Sequence, residues 1–497
     1  MKHTKLQMML VCMGLLSSQA FVEAHATENQ SMNSSKDYQA TEKLYNSMLE
    51  GDEPNVAKLN LFFTRMPKGG DLHHHYTGSI YAETYLDWVS DKGWWIDSCT
   101  LEIVKVRKEL PCKSISVQQL LSDNDLYRKL LTLWSDKDYK NHFHNQPSPD
   151  TNFFNTFGFF SPISNEYMNI GLDIIKQRAI NENVTYIETM LTRVGARSKA
   201  YFDAVKLSDY NSRLRKAKSQ EEVNLVLDEV FKTLQSGNES NAFNAQVKKF
   251  VDMVKANHQG IDGKNFVMRY QTYAVRVLDP MQVFVDLLSG YLAADTSDLV
   301  VGVNIVAPEN NSVALTDYTL HMQMYSYLLG KYPKVNRALH AGELTLGMVR
   351  PKDLLFHIKQ ARGIAQAQRI GHGVDLPYED NSLELLEDLK QHAVVEINLT
   401  SNEFILGVEK NKHPYLVYSA YGVPLIISTD DSGVSRNNLS NEYVLLASRY
   451  KPGYERIKEY VYNSLKYSFL EPDEKETGKK LLDKKFRIFE KEMATLF

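Results

Sequence analysis

The sequence predicts an α/β protein: a closed (β/α)8 TIM-type barrel with an N-terminal helical extension and an insertion after the first strand. Three observations carry this expectation. Short β-rich runs ending in polar or ionisable residues alternate with longer amphipathic stretches, the pattern of parallel strands joined by helices. Eight such runs occur, at 66–75, 184–190, 266–273, 299–307, 335–343, 369–374, 394–401 and 423–431, and eight is the number that closes such a barrel. No fixed-period repeat and no long Gly/Ser-rich or Pro-rich linker divides the 497 residues, so one large domain accounts for them better than several.

Residues 1–26 come first and have the character of a secretory signal peptide. Lys2 and Lys5 give a positive start, Leu6 to Leu16 an apolar middle, and Ala24-His25-Ala26 a small-x-small cleavage site. The apolar stretch is shorter than the roughly 20 residues of a spanning helix, so export without a stable membrane anchor is expected, ending in the periplasm or outside the cell. Residues 27–60 read as a polar leader followed by helices, with Tyr45, Met48 and Leu49 at helical spacing. That face offers either packing or self-association as a homodimer. The barrel domain then runs over 61–497.

The first crossover, from 75 to 184, is about 110 residues and far longer than one helix requires. It therefore holds an insertion, at about 90–150, which reads as a small subdomain or lid beside the barrel mouth. Cys99 and Cys112 lie in it, and an even, closely spaced pair in an exported chain is expected to form a disulfide.

Composition limits what the chain acts on. With 43% hydrophobic and 24% charged residues it is globular. Lys and Arg number 57 against 61 Asp and Glu, a balance with no general attraction for nucleic acid or anionic membrane. A small-molecule partner is expected instead.

Ionisable residues collect at the strand ends. His73 and His75 lie two apart in the first strand and face one side of it, while His74 faces the other. His340-Ala341-Gly342-Glu343 ends the fifth strand, Gly371-His372-Gly373 the sixth and Ser428-Thr429-Asp430-Asp431 the eighth. Taken singly, each has an ordinary structural reading as a cap, a core histidine or a surface acid. Gathered at one barrel mouth they form a set able to hold a metal and move protons.

With these motifs in place the chain resembles the adenosine deaminase family, and in character its secreted growth-factor-like and bacterial exported members. The matching pieces are PKGGDLHHH (67–75), LHAGE (339–343), RIGHGVDL (369–376), VEINLTSN (395–402), GVPLIISTDD (422–431) and NSLKYSFL (463–470). The resemblance implies a (β/α)8 barrel with one zinc ion per chain and hydrolytic removal of the 6-amino group of a purine nucleoside. It assigns the zinc to His73, His75, His340 and Asp430, whose N and O donors suit it. His372 would orient or deprotonate the attacking water and stabilise developing charge, and Glu343 would protonate the purine N1. Asp431 would hydrogen-bond N7, with His75, Thr77 and Ala307 also facing the nucleoside.

Two departures fall on the substrate side. Asn304 and Ala307 stand where the family often has Asp and Gly, and Thr77 stands where many members have an acidic residue near the ribose 5′-hydroxyl. The expectation is deamination of adenosine or 2′-deoxyadenosine to inosine or 2′-deoxyinosine and ammonia, in preference to AMP. Two alternatives are a deaminase of another aminopurine such as adenine, and a secreted signalling or binding protein with weak catalysis.

Overall fold

The computed structural model describes residues 35–109, 111–137 and 147–495. The expected signal peptide lies outside them. In chain order the strands are β1 (Lys68–His75), β2 (Trp95–Asp97), β3 (Ile103–Val104), β4 (Ser114–Ile115), β5 (Val184–Met190), β6 (Val267–Val275), β7 (Val300–Val306), β8 (Asn336–Ala341), β9 (Arg369–His372), β10 (Val394–Ile397) and β11 (Leu425–Ile427).

Eight of these form one parallel sheet in the order β1-β5-β6-β7-β8-β9-β10-β11. The two edges meet through Asp430, whose N–H donates to the His73 carbonyl (2.8 Å) and whose carbonyl accepts from the His75 N–H (3.1 Å). The barrel is thus closed by a residue expected to serve its chemistry.

Burial explains the composition of the strands. β5 is buried along its whole length, and β1 along all but its last residue. At the foot of β1, the ammonium of Lys68 donates to the carbonyls of Phe63, Met66 and Glu182, which joins the helix Val56–Arg65 to the barrel floor. Side chains at Gly69 and Gly70 are excluded because a Cβ would strike Ser464 and the Tyr186 ring. The helix Tyr454–Lys466 closes the barrel there.

The N-terminal helices Lys36–Leu49 and Val56–Arg65 pack inward. Tyr45 is fully buried, its hydroxyl donates to the Pro452 carbonyl (2.9 Å), and its ring meets Phe62, Phe63 and Tyr454. Of the two uses expected for this face, packing accounts for the buried side.

After β1 the chain enters a helix, Ala82–Asp91, and then a separate antiparallel sheet in the order β3-β2-β4. Cys99 and Cys112 lie at disulfide distance beside it, with Cα atoms 5.8 Å apart. Helices Val117–Ser122, Asn124–Trp134 and Pro149–Phe160 follow. Trp134 anchors this unit by donating to the Leu101 carbonyl (3.0 Å), and the Asp136 N–H donates to the Val434 carbonyl (2.9 Å) beyond β11. Among the described residues no helix is long and apolar enough to cross a membrane.

Several strands end earlier than the sequence runs suggest. The run 394–401 stops at Ile397 and becomes the helix Leu399–Leu406, because the buried Glu442 carboxylate accepts the N–H groups of Leu399 (2.8 Å) and Thr400 (3.2 Å). A carboxylate at a helix start satisfies donors that have no partner within the helix. At the ends of the other runs the backbone leaves the ladder in left-handed conformations, with φ of 76° at Gly342, 70° at His372 and 61° at Asp430. Non-glycine residues adopt this conformation at a cost and gather at functional sites.

Candidate active site

Four candidate ligand atoms converge at the strand ends. His340 Nε2 lies 3.0 Å from His73 Nε2 and 3.1 Å from His75 Nε2, and Asp430 Oδ1 lies 3.2 Å from His75 Nε2 and 3.4 Å from His73 Nε2. These separations match the edges of about 3.3 Å that follow from metal–ligand bonds of about 2.0–2.1 Å in a tetrahedral zinc site. His74, turned the other way, bonds Thr189 Oγ1 (2.9 Å).

The neighbours of the two central histidines fix which ring nitrogen carries the proton. His73 Nδ1 donates to Glu396 Oε2 (2.6 Å), and Glu396 is paired with Arg369 (2.7 Å). On the other side Arg369 and the Gln271 amide (2.8 Å) both donate to Glu188 Oε1. Gln271 Oε1 then accepts from Asn304 Nδ2 (3.0 Å), which leaves Asn304 Oδ1 to accept from His340 Nδ1 (2.9 Å). Both histidines therefore turn Nε2 toward the centre, 3.0 Å apart. Without a metal His73 takes up a second proton there, because burial is outweighed by hydrogen bonds to Asp430 and Glu396, which raise its pKa to about 10. A metal ion can take the place of that proton between the nitrogens, and the donor set of imidazoles and carboxylate fits one.

Proton carriers surround this centre. Glu343 follows β8 and is held by Glu309, whose carboxylate accepts the N–H groups of Gly342 (3.1 Å) and Glu343 (3.0 Å). Burial first, then the charges of Asp430 and Glu309, push the Glu343 carboxyl well above the usual range, which favours its protonated form. Burial also raises Asp431, with Asp430's charge adding to it, and Asp431 Oδ1 has no partner. Gly78 makes room for this carboxyl, because a Cβ there would overlap it. Asp430 stays ionised: burial opposes its charge, but hydrogen bonds with His73 and His75 hold it well below the usual carboxylate range.

His372 Nε2 lies 3.8 Å from both Glu343 Oε1 and Asp430 Oδ2 and has no partner. Burial lowers its pKa to about 3, so the ring is neutral. It belongs with His73, His340 and Asp430 to a group whose candidate ligand atoms all lie within 4.8 Å of one another. Ala307 closes β7 with φ of 86°, and Thr77 sits in the short helix Tyr76–Ser79 that leaves β1.

Four residues of the site were not legible as functional. Glu309 and Glu396 read as ordinary acids after or within strands, although Glu396 falls in the segment 395–402. Asn304, noted only as a departure, orients His340. Asp136 comes from the insertion; its Oδ2 is shut off from solvent without a partner, burial pushes its carboxyl up, and its charge raises Asp431. No local pattern in the sequence links a position in an insertion to a strand end so far away.

The barrel and the convergent His/Asp centre at its strand ends define a (β/α)8 protein with a site that could hold a metal. The adenosine deaminase family profile matches residues 224–485. The chain belongs to the adenosine deaminase family. It is 34% identical over 149 residues to an adenosine deaminase of Enterococcus faecalis, covering 30% of this chain and 40% of that protein. To an adenosine deaminase of Clostridium acetobutylicum it is 28% identical over 207 residues, 41% and 56% of the two chains. A human N6-methyl-AMP deaminase is 35% identical over 104 residues, 20% and 29% of the two chains. The matches thus span 29% to 56% of these relatives' lengths.

Two solved structures share the fold. An Arabidopsis N6-methyl-AMP deaminase superposes with a TM-score of 0.53 at 18% identity, covering 85% of this chain and 99% of that one. An amidohydrolase from Burkholderia ambifaria with bound Zn gives 0.52 at 14%, covering 88% and 94%.

Proposed function

We propose that this protein is a zinc-dependent hydrolytic deaminase of adenosine or 2′-deoxyadenosine, releasing inosine or 2′-deoxyinosine and ammonia. The observation that carries this reading is the meeting of three imidazole nitrogens and an ionised carboxylate at one point, with Glu343, its carboxyl pushed up by burial, beside them. His73, His75, His340 and Asp430 would hold the ion, which would supply Lewis-acid activation of the attacking water.

The chain's own residues do the rest. Glu343 hands its proton to the purine N1, which weakens the ring's resistance to addition at C6. Asp431, kept neutral by burial, donates to N7 through its unpartnered carboxyl, since N7 can only accept. The two contacts fix the base in the plane that turns C6 toward the centre.

An uncharged 5′ end suits the electrostatics. Asp136, Asp431 and Glu343, their carboxyls all raised by burial, offer a phosphate no positive charge on the substrate side. Two cations of the insertion are engaged by aromatic rings, Lys105 Nζ 4.3 Å from the Trp94 ring centre and the Arg107 guanidinium 5.0 Å from that of Trp95. A 5′-phosphate carries nearly two negative charges and calls for Arg, Lys or a nest of N–H groups. The resemblance to N6-methyl-AMP deaminases supports a second reading, a nucleotide substrate. Measuring kcat/KM for adenosine, 2′-deoxyadenosine, adenine, AMP and N6-methyl-AMP, with zinc content on the same preparation, decides between them. A higher value for either nucleotide, or for adenine, than for the nucleosides would overturn the proposal.

The signal-like segment and the Cys99–Cys112 pair support export, and we place the working protein in the periplasm or outside the cell. Detection of the processed chain in those fractions tests this.

A further inference from the structure

The segment 395–402, part of the resemblance, has so far supplied only Glu396, yet two of its amides face His372. Asn402 Nδ2 lies 2.9 Å and Asn398 Nδ2 3.4 Å from His372 Nδ1. Distance alone does not say which amide atom is nitrogen or which ring nitrogen holds the proton. Here a backbone group settles both. The Tyr415 N–H donates to His413 Nδ1 (3.1 Å), and a backbone amide can only donate. His413 Nδ1 is therefore the acceptor, and its proton sits on Nε2, which faces Asn402 Oδ1 at 3.0 Å. With Oδ1 accepting, the other end of Asn402 is the NH2 group, so His372 Nδ1 accepts in turn.

We infer that Asn402 and His413 are positioning residues that lock His372 as the tautomer with its proton on Nε2, aimed at the reacting centre as a hydrogen-bond donor. The inference rests on the proposed deaminase reading and sharpens one role in it. His372 then has no free basic nitrogen on the substrate side and stabilises developing negative charge; it does not take a proton from water. Two facts agree. Asn402 and His372 are fully buried and His413 nearly so, and His372 Nε2 has no hydrogen-bond partner within the protein. An unpartnered buried N–H is costly and awaits an acceptor.

The test reads the tautomer directly. In the metal-loaded protein with 15N-labelled histidine, the His372 resonances, assigned by their loss in His372→Gln, should show a protonated Nε2 and a bare Nδ1 at neutral pH. Asn402→Asp replaces the donor with a carboxylate that accepts from both rings, and should move the His372 proton to Nδ1. Turnover should then fall about 100-fold or more, the usual cost of losing one such donor, with KM and metal content within about twofold of the original. A proton on Nδ1 of His372 in the unaltered protein overturns the inference, as does a moved proton with unchanged kcat. The tautomer is read without turnover, so a protein inactive on every nucleoside still answers this question and only the deaminase reading fails.

Discussion

At the level of single residues the proposed site divides into candidate ligands and a proton carrier, and variants should separate them. His340→Ala combined with Asp430→Ala removes one donor from each side of the cluster, and both bound zinc and deamination should be lost. Stoichiometric zinc in that double variant, measured by elemental analysis, would refute the ligand assignment. Glu343→Gln should behave differently, keeping the metal while losing at least about 100-fold in kcat, the usual scale of acid catalysis. The sign of its pH dependence follows from burial. A carboxyl raised above its usual range is active while protonated, so kcat/KM should hold below that raised pKa and fall as pH rises through it. The alkaline limb should vanish in Glu343→Gln. These residues were readable because strand-end motifs are contiguous. Asn304 was not, since its effect on His340 depends on a Gln271–Glu188 chain contributed by two other strands.

Among the elements, the insertion is the least determined by pattern. Its small sheet has strands of only two or three residues, too short for alternation to register. Cys99 and Cys112 are 13 residues apart, and closing so short a loop should stabilise the unit by about 2–4 kcal/mol. Peptide mapping of the non-reduced protein should yield a linked peptide pair; two alkylatable thiols would end the assignment. Reduction should speed hydrogen exchange in β2–β4 and leave β5–β11 nearly unchanged, because the loop closes within the insertion. The early end of the run 394–401 has a comparable cause, since a distant Glu442 starts a helix where local sequence favours a strand.

For the whole molecule, burial of acids sets how stability responds to pH. Behind β9, Asp375 and Glu379 are buried, and three of their four carboxyl oxygens have no partner. Burial, then each other's charge, raises Asp375 well above the usual range, and burial lifts Glu379 to about 8. A carboxyl whose folded pKa lies above its unfolded value, roughly 4, stabilises below that value, and the gain is lost as pH rises through the folded pKa. The melting temperature should therefore fall between about pH 5 and 8, and Asp375→Asn should flatten that decline. An unchanged slope in the variant would show that other groups set it.

The sequence by itself determined the parallel-stranded class and the eight strands, and it put ionisable residues at strand ends, because alternation and strand-end motifs are local properties of the chain. Tertiary structure alone decided how those residues work. Closure of the sheet at Asp430 brings ligands from opposite edges to within hydrogen-bonding distance. Hydrogen-bond chains from other strands then set which imidazole nitrogens face the centre. Burial decides which carboxyls keep their protons, and it depends on what every other part of the chain has placed around them.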